Sequence, residues 1–571
     1  MRPVLYLLLS VPLFTSSVAN ADFAVSKKPT RDVSCAGGVC TPTAKNANLN
    51  VSELTNMLAS GDVTLKSGSG DGTAATIELL AALSWTKGKR LTIDAKNSII
   101  VTAPITVRGP GSLTLNYAEG NPNGVLHFSN KGKVDFWDFR SALYINGANY
   151  FLVKSLESLS AAIRHDPSQN YALTKDYDAT GDGTYRSPPI KRDFFGNFEG
   201  LGHRIDHLTI SSGSGCIGLF AETDGSGGGG IISGVAVTNA AVTSTGDTAR
   251  VGILVGCGRV VKSSYVSGFV RASKGSIGGL VGDVGTMLDS RAEVNVTADS
   301  GWVGGLAGDA GPITNSHAAG SVILNGGGNA GGLAGVSSHI LNSSAAVAVQ
   351  SHGENTGGFV GLGGDIYNSS ASGSVESYGG YAGGFVGYPT GVMDGDYATG
   401  NVVSHAQRTG PSGIRCLTSV GGFSGVVAAN REQDFASTVL NSYALGTVTA
   451  AAGACAGGMT GAVIGARDTP QPKVANSYSI GTVSEQEPGH AELGGFLGYI
   501  KSNKDFVQSG YWDLTTSGLD IGCGSGECSG VTGLTDAELK SGLPKGFDPK
   551  IWGSDPNINN GYPYLRANPP Q

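Results

Sequence analysis

Charge is scarce in this chain: 38 Lys and Arg against 45 Asp and Glu make only 15 per cent of 571 residues, with a formal net charge of −7. Phosphate binding rests on clustered Lys and Arg, so a weakly acidic chain of this kind argues against nucleic acid as a partner. Long hydrophobic runs are missing too. After an apolar run from Val4 to Phe14, no segment approaches the roughly 18 to 20 apolar residues of a membrane helix. The central region shows no apolar spacing of 3.6, which removes a helical solenoid. His-Glu-x-x-His and G-x-S-x-G are both absent, which removes the common zinc-peptidase and serine-hydrolase signatures. The 91 glycines follow no three-residue period, which excludes collagen.

What the chain does contain is repetition. Two glycines, a large apolar residue, one variable residue and a glycine recur in pentads that begin at Gly278, Gly304, Gly331, Gly357, Gly383, Gly421, Gly457 and Gly494. The early period is 26 or 27 residues, which signals stacked units that each bury an apolar face only against their neighbours. A second phrase follows, as in Asn315-Ser316-His317-Ala318, Asn342-Ser343-Ser344-Ala345, Asn368-Ser369-Ser370-Ala371 and Asn441-Ser442-Tyr443-Ala444. Strict alternation comes next, such as Ala345, Val347, Val349, the pattern of a strand with one buried face. The predicted fold is all-β: a parallel β-helix, or solenoid, with short capping helices. The third pentad residues, Leu280 through Phe496, should form a core column. The asparagines should form a turn ladder in left-handed backbone.

The predicted organisation is a signal peptide at 1–21, a tether at 22–45 and N-terminal β-helix coils at 46–150. A connecting region at 151–216, Gly-rich repeats at 217–510 and a cap at 511–571 follow. Arg2, the apolar run and Ala19-Asn20-Ala21 carry the signal reading, which places the mature chain outside the cell or at its surface. Eight cysteines suit an oxidising compartment and fall into neighbours: Cys35 with Cys40, Cys216 with Cys257, Cys416 with Cys455, and Cys523 with Cys528. Helices are expected near Ser52–Ala59 and Leu156–Ile163, with a capping-box start at Thr535 and Glu538. Asn121-Pro122-Asn123-Gly124 reads as a plain turn.

The pentads, the Asn-Ser-Tyr-Ala phrase, Tyr511-Trp512-Asp513 and Gly561-Tyr562-Pro563-Tyr564-Leu565 resemble the GLUG repeats of filamentous haemagglutinin-like bacterial adhesins. Such repeats also accompany some immunoglobulin A peptidases. The resemblance spans roughly residues 50 to 565. It implies a secreted or surface-attached right-handed parallel β-helix that mediates adhesion, with an extracellular glycan or protein as its receptor. With no run of alternating membrane strands and no sorting motif in the sequence, a separate outer-membrane exporter is the expected route.

Beyond Gly387 the period lengthens to 36 to 38 residues, and the surplus falls at Val403–Ser419, Val426–Val439 and Val463–Lys473. Loops inserted on one side of a solenoid often form its binding face. Arg431, Glu432, Asp434, Arg467 and Asp468 are therefore the candidate binding residues. No catalytic residue, metal or cofactor is expected. His203 and His207 are read as structural beside Asp206, and Asp176 to Asp182 begins like a calcium loop but has Ser187 where the closing Glu belongs. The enzymatic rival is a glycan-cleaving β-helix, a lyase or glycosidase, which for hydrolysis needs two carboxylates facing across a groove. Asp283, Asp289, Glu293, Asp309, Glu354, Asp365 and Glu376 are read as not recurring at one coil position. A structural spacer of envelope or matrix is the third reading.

Overall fold

The computed structural model describes residues 23–570 apart from 69–74, 120–123, 130, 224–228, 248, 407–415, 417, 431–434, 467–468, 488–489 and 502–505. The signal segment 1–21, the turn at 121–123 and the five candidate loop residues lie outside the described residues. The chain divides into two compact units, 1–152 and 153–571. Both are built mainly of short, parallel-paired strands, so the all-β expectation holds.

In the first unit, Val63–Lys66, Arg90–Asp94, Ser112–Asn116 and Ala142–Ile145 pair in parallel, one after another. Their alternation sends Val63, Leu91, Leu113 and Leu143 into one buried column, with Leu65, Ile93, Leu115 and Ile145 beside it. Helix α1 (Val51–Ser60) starts where Asn50 accepts a bond from the Ser52 N–H, and it buries Val51, Leu54 and Leu58. The segment read as a tether is instead part of this structure. Phe23–Ser26 pairs with both Ala47–Asn50 and Ile77–Leu79, and Val33–Ala36 forms a hairpin with Val39–Pro42 across the Cys35–Cys40 disulfide. Lys27-Lys28-Pro29 gives the stretch the look of a linker, yet it only turns the chain between strands of four residues.

The second unit opens on helix α2 (Leu156–His165), whose N-terminus is closed by a Ser155–Ser158 capping box and which buries Leu156, Leu159 and Ile163. The residues read as a connecting region already belong to the stack. Tyr171 pairs with Phe198 and Phe198 with Ile232, while Tyr177 pairs with Ile205 and Ile205 with Val237. From there each repeat lies in parallel register on the next: Tyr265 opposite Arg291, Arg291 opposite His317, and so on through Tyr478 opposite Tyr511.

The pentad marks a corner where backbones meet at close range. A Cβ on Gly304 would sit 2.1 Å from the Ala307 carbonyl oxygen, and one on Gly305 2.3 Å from that of Gly332. The large residue between the glycines faces inward, and every one from Leu280 to Phe496 is fully buried. Phe359, Phe385 and Phe423 stack with ring centroids 4.7 and 4.8 Å apart. Four disulfides consume all eight cysteines in the expected pairs; Cys216–Cys257 and Cys416–Cys455 each join adjacent repeats.

At the opposite turn the asparagine column adopts left-handed backbone, with φ of 49° at Asn315, 50° at Asn342 and Asn368, and 43° at Asn441. The next residue forms a ladder of its own. The Ser290 N–H donates to Ser316 Oγ at 3.2 Å, that of Ser316 to Ser343 Oγ at 3.1 Å, and that of Ser343 to Ser369 Oγ at 3.2 Å. Each hydroxyl then donates to the carbonyl two residues back, at 2.9 Å for both Ser316 and Ser343. Buried backbone that the corner would leave unpaired is thereby satisfied at each of these repeats.

The C-terminal segment departs from a plug over the last coil. Helix α3 (Leu514–Ser517) is followed by helix α4 (Asp536–Lys540), which starts with the expected Thr535–Glu538 capping box. From α4 the chain runs back along the side of the repeats as a strap. Leu539, Phe547, Trp552, Tyr562 and Leu565 pack on the stacked Tyr397, Tyr443, Tyr478 and Tyr511. Tyr478 and Tyr511 donate hydroxyl bonds to the carbonyls of Pro563 at 2.7 Å and Lys545 at 2.6 Å. Asn568 Nδ2 reaches the carbonyls of Ser369 at 2.9 Å and Gly395 at 3.1 Å.

Candidate functional site

The insertions leave the stack from neighbouring rungs. Val426, Val427 and Ala428 pair in parallel with Ala462, Val463 and Ile464, and these with Tyr499, Ile500 and Lys501. Arg431, Glu432, Asp434, Arg467 and Asp468 follow these strands in sequence but lie outside the described residues, so their side chains enter no geometry here.

Outward positions on the described repeats form columns beside the glycine corner, and here one sequence reading is corrected. Asp283 and Asp309 do occupy the same position on successive coils, in direct register. Arg250 Nε donates to Asp283 Oδ2 at 2.9 Å. Burial pushes the Asp309 carboxyl above its ordinary range, and the neighbouring Asp283 charge adds to the shift. The two acids stand side by side on one column, about 4.8 Å apart by rung spacing, rather than facing each other across a groove. Trp302, 42 per cent exposed, lies on the column that also holds Arg250 and Ser276.

A second outward column is aromatic. His352, Tyr378 and His405 stack with centroids 4.4 and 4.6 Å apart. Glu376 accepts from the Tyr378 hydroxyl at 2.8 Å and lies 3.0 Å from His405 Nε2, while Gln486 Nε2 meets His405 Nδ1 at 3.0 Å. The spacings of 26 and 27 residues between these three rings were available in the sequence, but no motif flagged them. Phe269, 48 per cent exposed, adds another outward ring at a different position.

Two motifs read separately meet in space, because Tyr177 and Asp178 pair with Ile205 and Asp206. His203, fully buried, places Nδ1 3.1 Å from Asp176 Oδ1, and His207 Nδ1 lies 3.2 Å from Asp178 Oδ1. Asp206 does lie beside His207, 3.8 Å from its Nδ1 and accepting its backbone N–H at 3.2 Å, and it also accepts from Thr238 at 2.9 Å and Asn239 at 2.8 Å. Asp182 accepts the hydroxyls of Tyr177 and Tyr185, and burial together with that carboxylate pushes the Tyr177 hydroxyl up to about 12. Among the described residues no three His, Cys, Asp or Glu side chains converge as a metal site, and no helix is long and apolar enough to cross a membrane.

No family model matches the chain, and no curated protein matches it. Among solved structures, it is similar to a chain from Bacteroides ovatus provisionally named an immunoglobulin A1 protease, at 14 per cent identity, covering 73 per cent of this chain and 93 per cent of that one. The TM-score of 0.23 is too low for the likeness to carry any argument about fold or activity.

Proposed function

We propose that the repeats form a right-handed parallel β-helix of the GLUG type, and that the protein is a secreted or surface-attached adhesin that binds extracellular glycans or proteins without catalysing a reaction. Strand-to-strand crossovers within one parallel sheet are right-handed in about 98 per cent of cases, which supports the hand. Four disulfides suit an oxidising compartment. The observation that carries the functional reading is the placement of exposed rings, Phe269, Trp302 and the His352–Tyr378–His405 column, on a scaffold whose backbone is tied rung to rung. Aromatic rings join apolar faces to polar edges, and exposed ones are characteristic of recognition surfaces.

A second reading, glycan cleavage, is favoured by the stacked Asp283 and Asp309 with Arg250 beside them. One experiment separates the two: a glycan and matrix-protein array probed with the mature chain, run beside a reducing-end assay. Binding without product is expected. Product that disappears in Asp283→Asn/Asp309→Asn would replace the adhesin reading with the enzymatic one, and a blank array with no product would leave a structural spacer.

A further inference from the structure

A cavity of about 330 Å³ opens in the second unit between helix α2 and the segment Ser187–Arg192. Arg164, Lys191 and Arg192 line it together with the hydroxyl-bearing Ser160 and Ser187. The mouth is therefore cationic in a chain whose formal net charge is −7. Among the described residues, no carboxylate lies within ion-pair distance of any of the three cations.

Part of this charge has a structural explanation. Arg164 sits in the last turn of α2, where a cation complements the helix dipole, and Arg192 Nη1 donates to the Arg164 carbonyl at 2.7 Å. That contact occupies one guanidinium N–H and leaves the rest of the fork free for a ligand. Among the described residues, no side-chain hydrogen bond ties the neighbouring Lys191 to α2. The segment is held firmly: Pro188, Pro189 and Ile190 are buried, and the Ile190 N–H donates to the Leu219 carbonyl at 3.0 Å. Three like charges are thus gathered around one concavity on a backbone that is held in place, an arrangement that favours an anion.

We propose that this cavity binds one carboxylate-bearing sugar unit of an extracellular glycan. Arg192 and Lys191 grip the carboxylate, a planar group that suits a guanidinium fork. Ser160 and Ser187 bond the ring hydroxyls, and Pro188 and Pro189 face the ring's C–H surface. The volume lies at the small end of ligand pockets, about 300 to 1,000 Å³, so it accommodates a single ring. The proposal rests on the glycan-binding reading above and narrows it to a ligand class.

The test is isothermal titration of the mature protein with glucuronate, glucose and sodium sulfate, at low and high salt. Glucuronate binding that weakens with salt, with no binding of glucose, is expected. Lys191→Gln/Arg192→Gln should weaken it about tenfold or more, and Lys191→Gln alone, which spares the bond to α2, should weaken it in the same direction. Equal binding of glucose and glucuronate, sulfate binding as tight as glucuronate, unchanged affinity in both variants, or no glucuronate binding at all would each overturn the proposal. A positive glycan array beside a blank titration would reject this cavity alone, and a blank array beside a positive titration would reject the broader adhesin reading alone.

Discussion

One ladder of the second unit has two characters. Its rungs at Tyr265, Arg291, His317, Ser344 and Ser370 are mixed and mostly polar, whereas those at Tyr397, Tyr443, Tyr478 and Tyr511 are uniformly aromatic. Parallel backbone pairing runs through both regions, and the left-handed asparagine with its serine hydroxyl occurs in each, at Asn315–Ser316 and Asn342–Ser343 as at Asn441–Ser442 and Asn476–Ser477. What differs is the covering: the C-terminal strap lies on the tyrosines, which are stacked 4.9 and 5.2 Å apart and buried, and among the described residues its contacts reach no earlier than Ser369, through Asn568. The tyrosine of the Asn-Ser-Tyr-Ala phrase is therefore a docking residue for the strap. The coil itself needs only a side chain that tolerates the strand, and Ser344 or His317 serves as well.

Breaking the strap is the strongest test of that comparison. Trp552 is fully buried between Tyr443, Tyr478 and Phe547. Trp552→Ala should cost roughly 3–5 kcal/mol, the usual range for deleting a buried tryptophan. The loss should fall on the strap, because the repeats keep their own interior cluster. Hydrogen exchange should accelerate across 535–568 and at Tyr443 and Tyr478 while the amides of 291–349 keep their protection. Equal acceleration in both regions would show that the strap holds the whole stack, contrary to the division drawn here.

A subtler contrast sits inside the serine ladder, where Asp396 takes the place of a serine at the first strapped rung. The Ser369 N–H donates to its Oδ1 at 2.7 Å, but Oδ2 is buried without a partner. Burial, and then the nearby Asp394 charge, push the Asp396 carboxyl well above its ordinary range. A raised acid holds its proton more tightly in the folded chain than in the unfolded one. Its contribution to stability is thus full below the unfolded value near pH 4 and falls as pH climbs through the folded value. Asp396→Ser restores the ladder hydroxyl and should raise stability by about 1–3 kcal/mol at about pH 8, the scale of an orphaned buried polar group, and by less at about pH 4. Thermal midpoints of both proteins at the two pH values check this; a gap that is larger at the acid end would refute the assignment. A smaller slope persists in the variant, because burial also raises Asp394.

The sequence carried the coil plan well and the outer surface poorly, for a physical reason. Core columns repeat because each rung must fill the same space, so Leu280 through Phe496, the left-handed asparagines and all four cysteine pairs could be read from spacing. Surface chemistry depends on which side chains share a column across coils. Asp283 and Asp309 were missed although they stand one repeat apart, and Asp176 with His203 was missed because 27 residues separate partners that only parallel pairing unites. The strap was invisible for a different reason. Its bonds to the repeats join residues 34 to 199 positions apart, with no periodicity to announce them.

The smallest expected effect isolates the part common to both regions. Ser316 is fully buried, its hydroxyl donating to the Thr314 carbonyl at 2.9 Å and accepting the Ser290 N–H at 3.2 Å. Ser316→Ala removes both bonds and leaves the Ser290 N–H unpaired, so a loss of about 1–2 kcal/mol is expected. Ser442 plays the same part under the strap, with its hydroxyl bonded to the Leu440 carbonyl at 2.6 Å. If the ladder works identically along the stack, Ser442→Ala should cost the same within about 0.5 kcal/mol, read as paired shifts in thermal midpoint. A markedly larger loss at Ser442 would mean that the strap and the ladder are coupled, and that the covered coils depend on their hydroxyls in a way the bare ones do not.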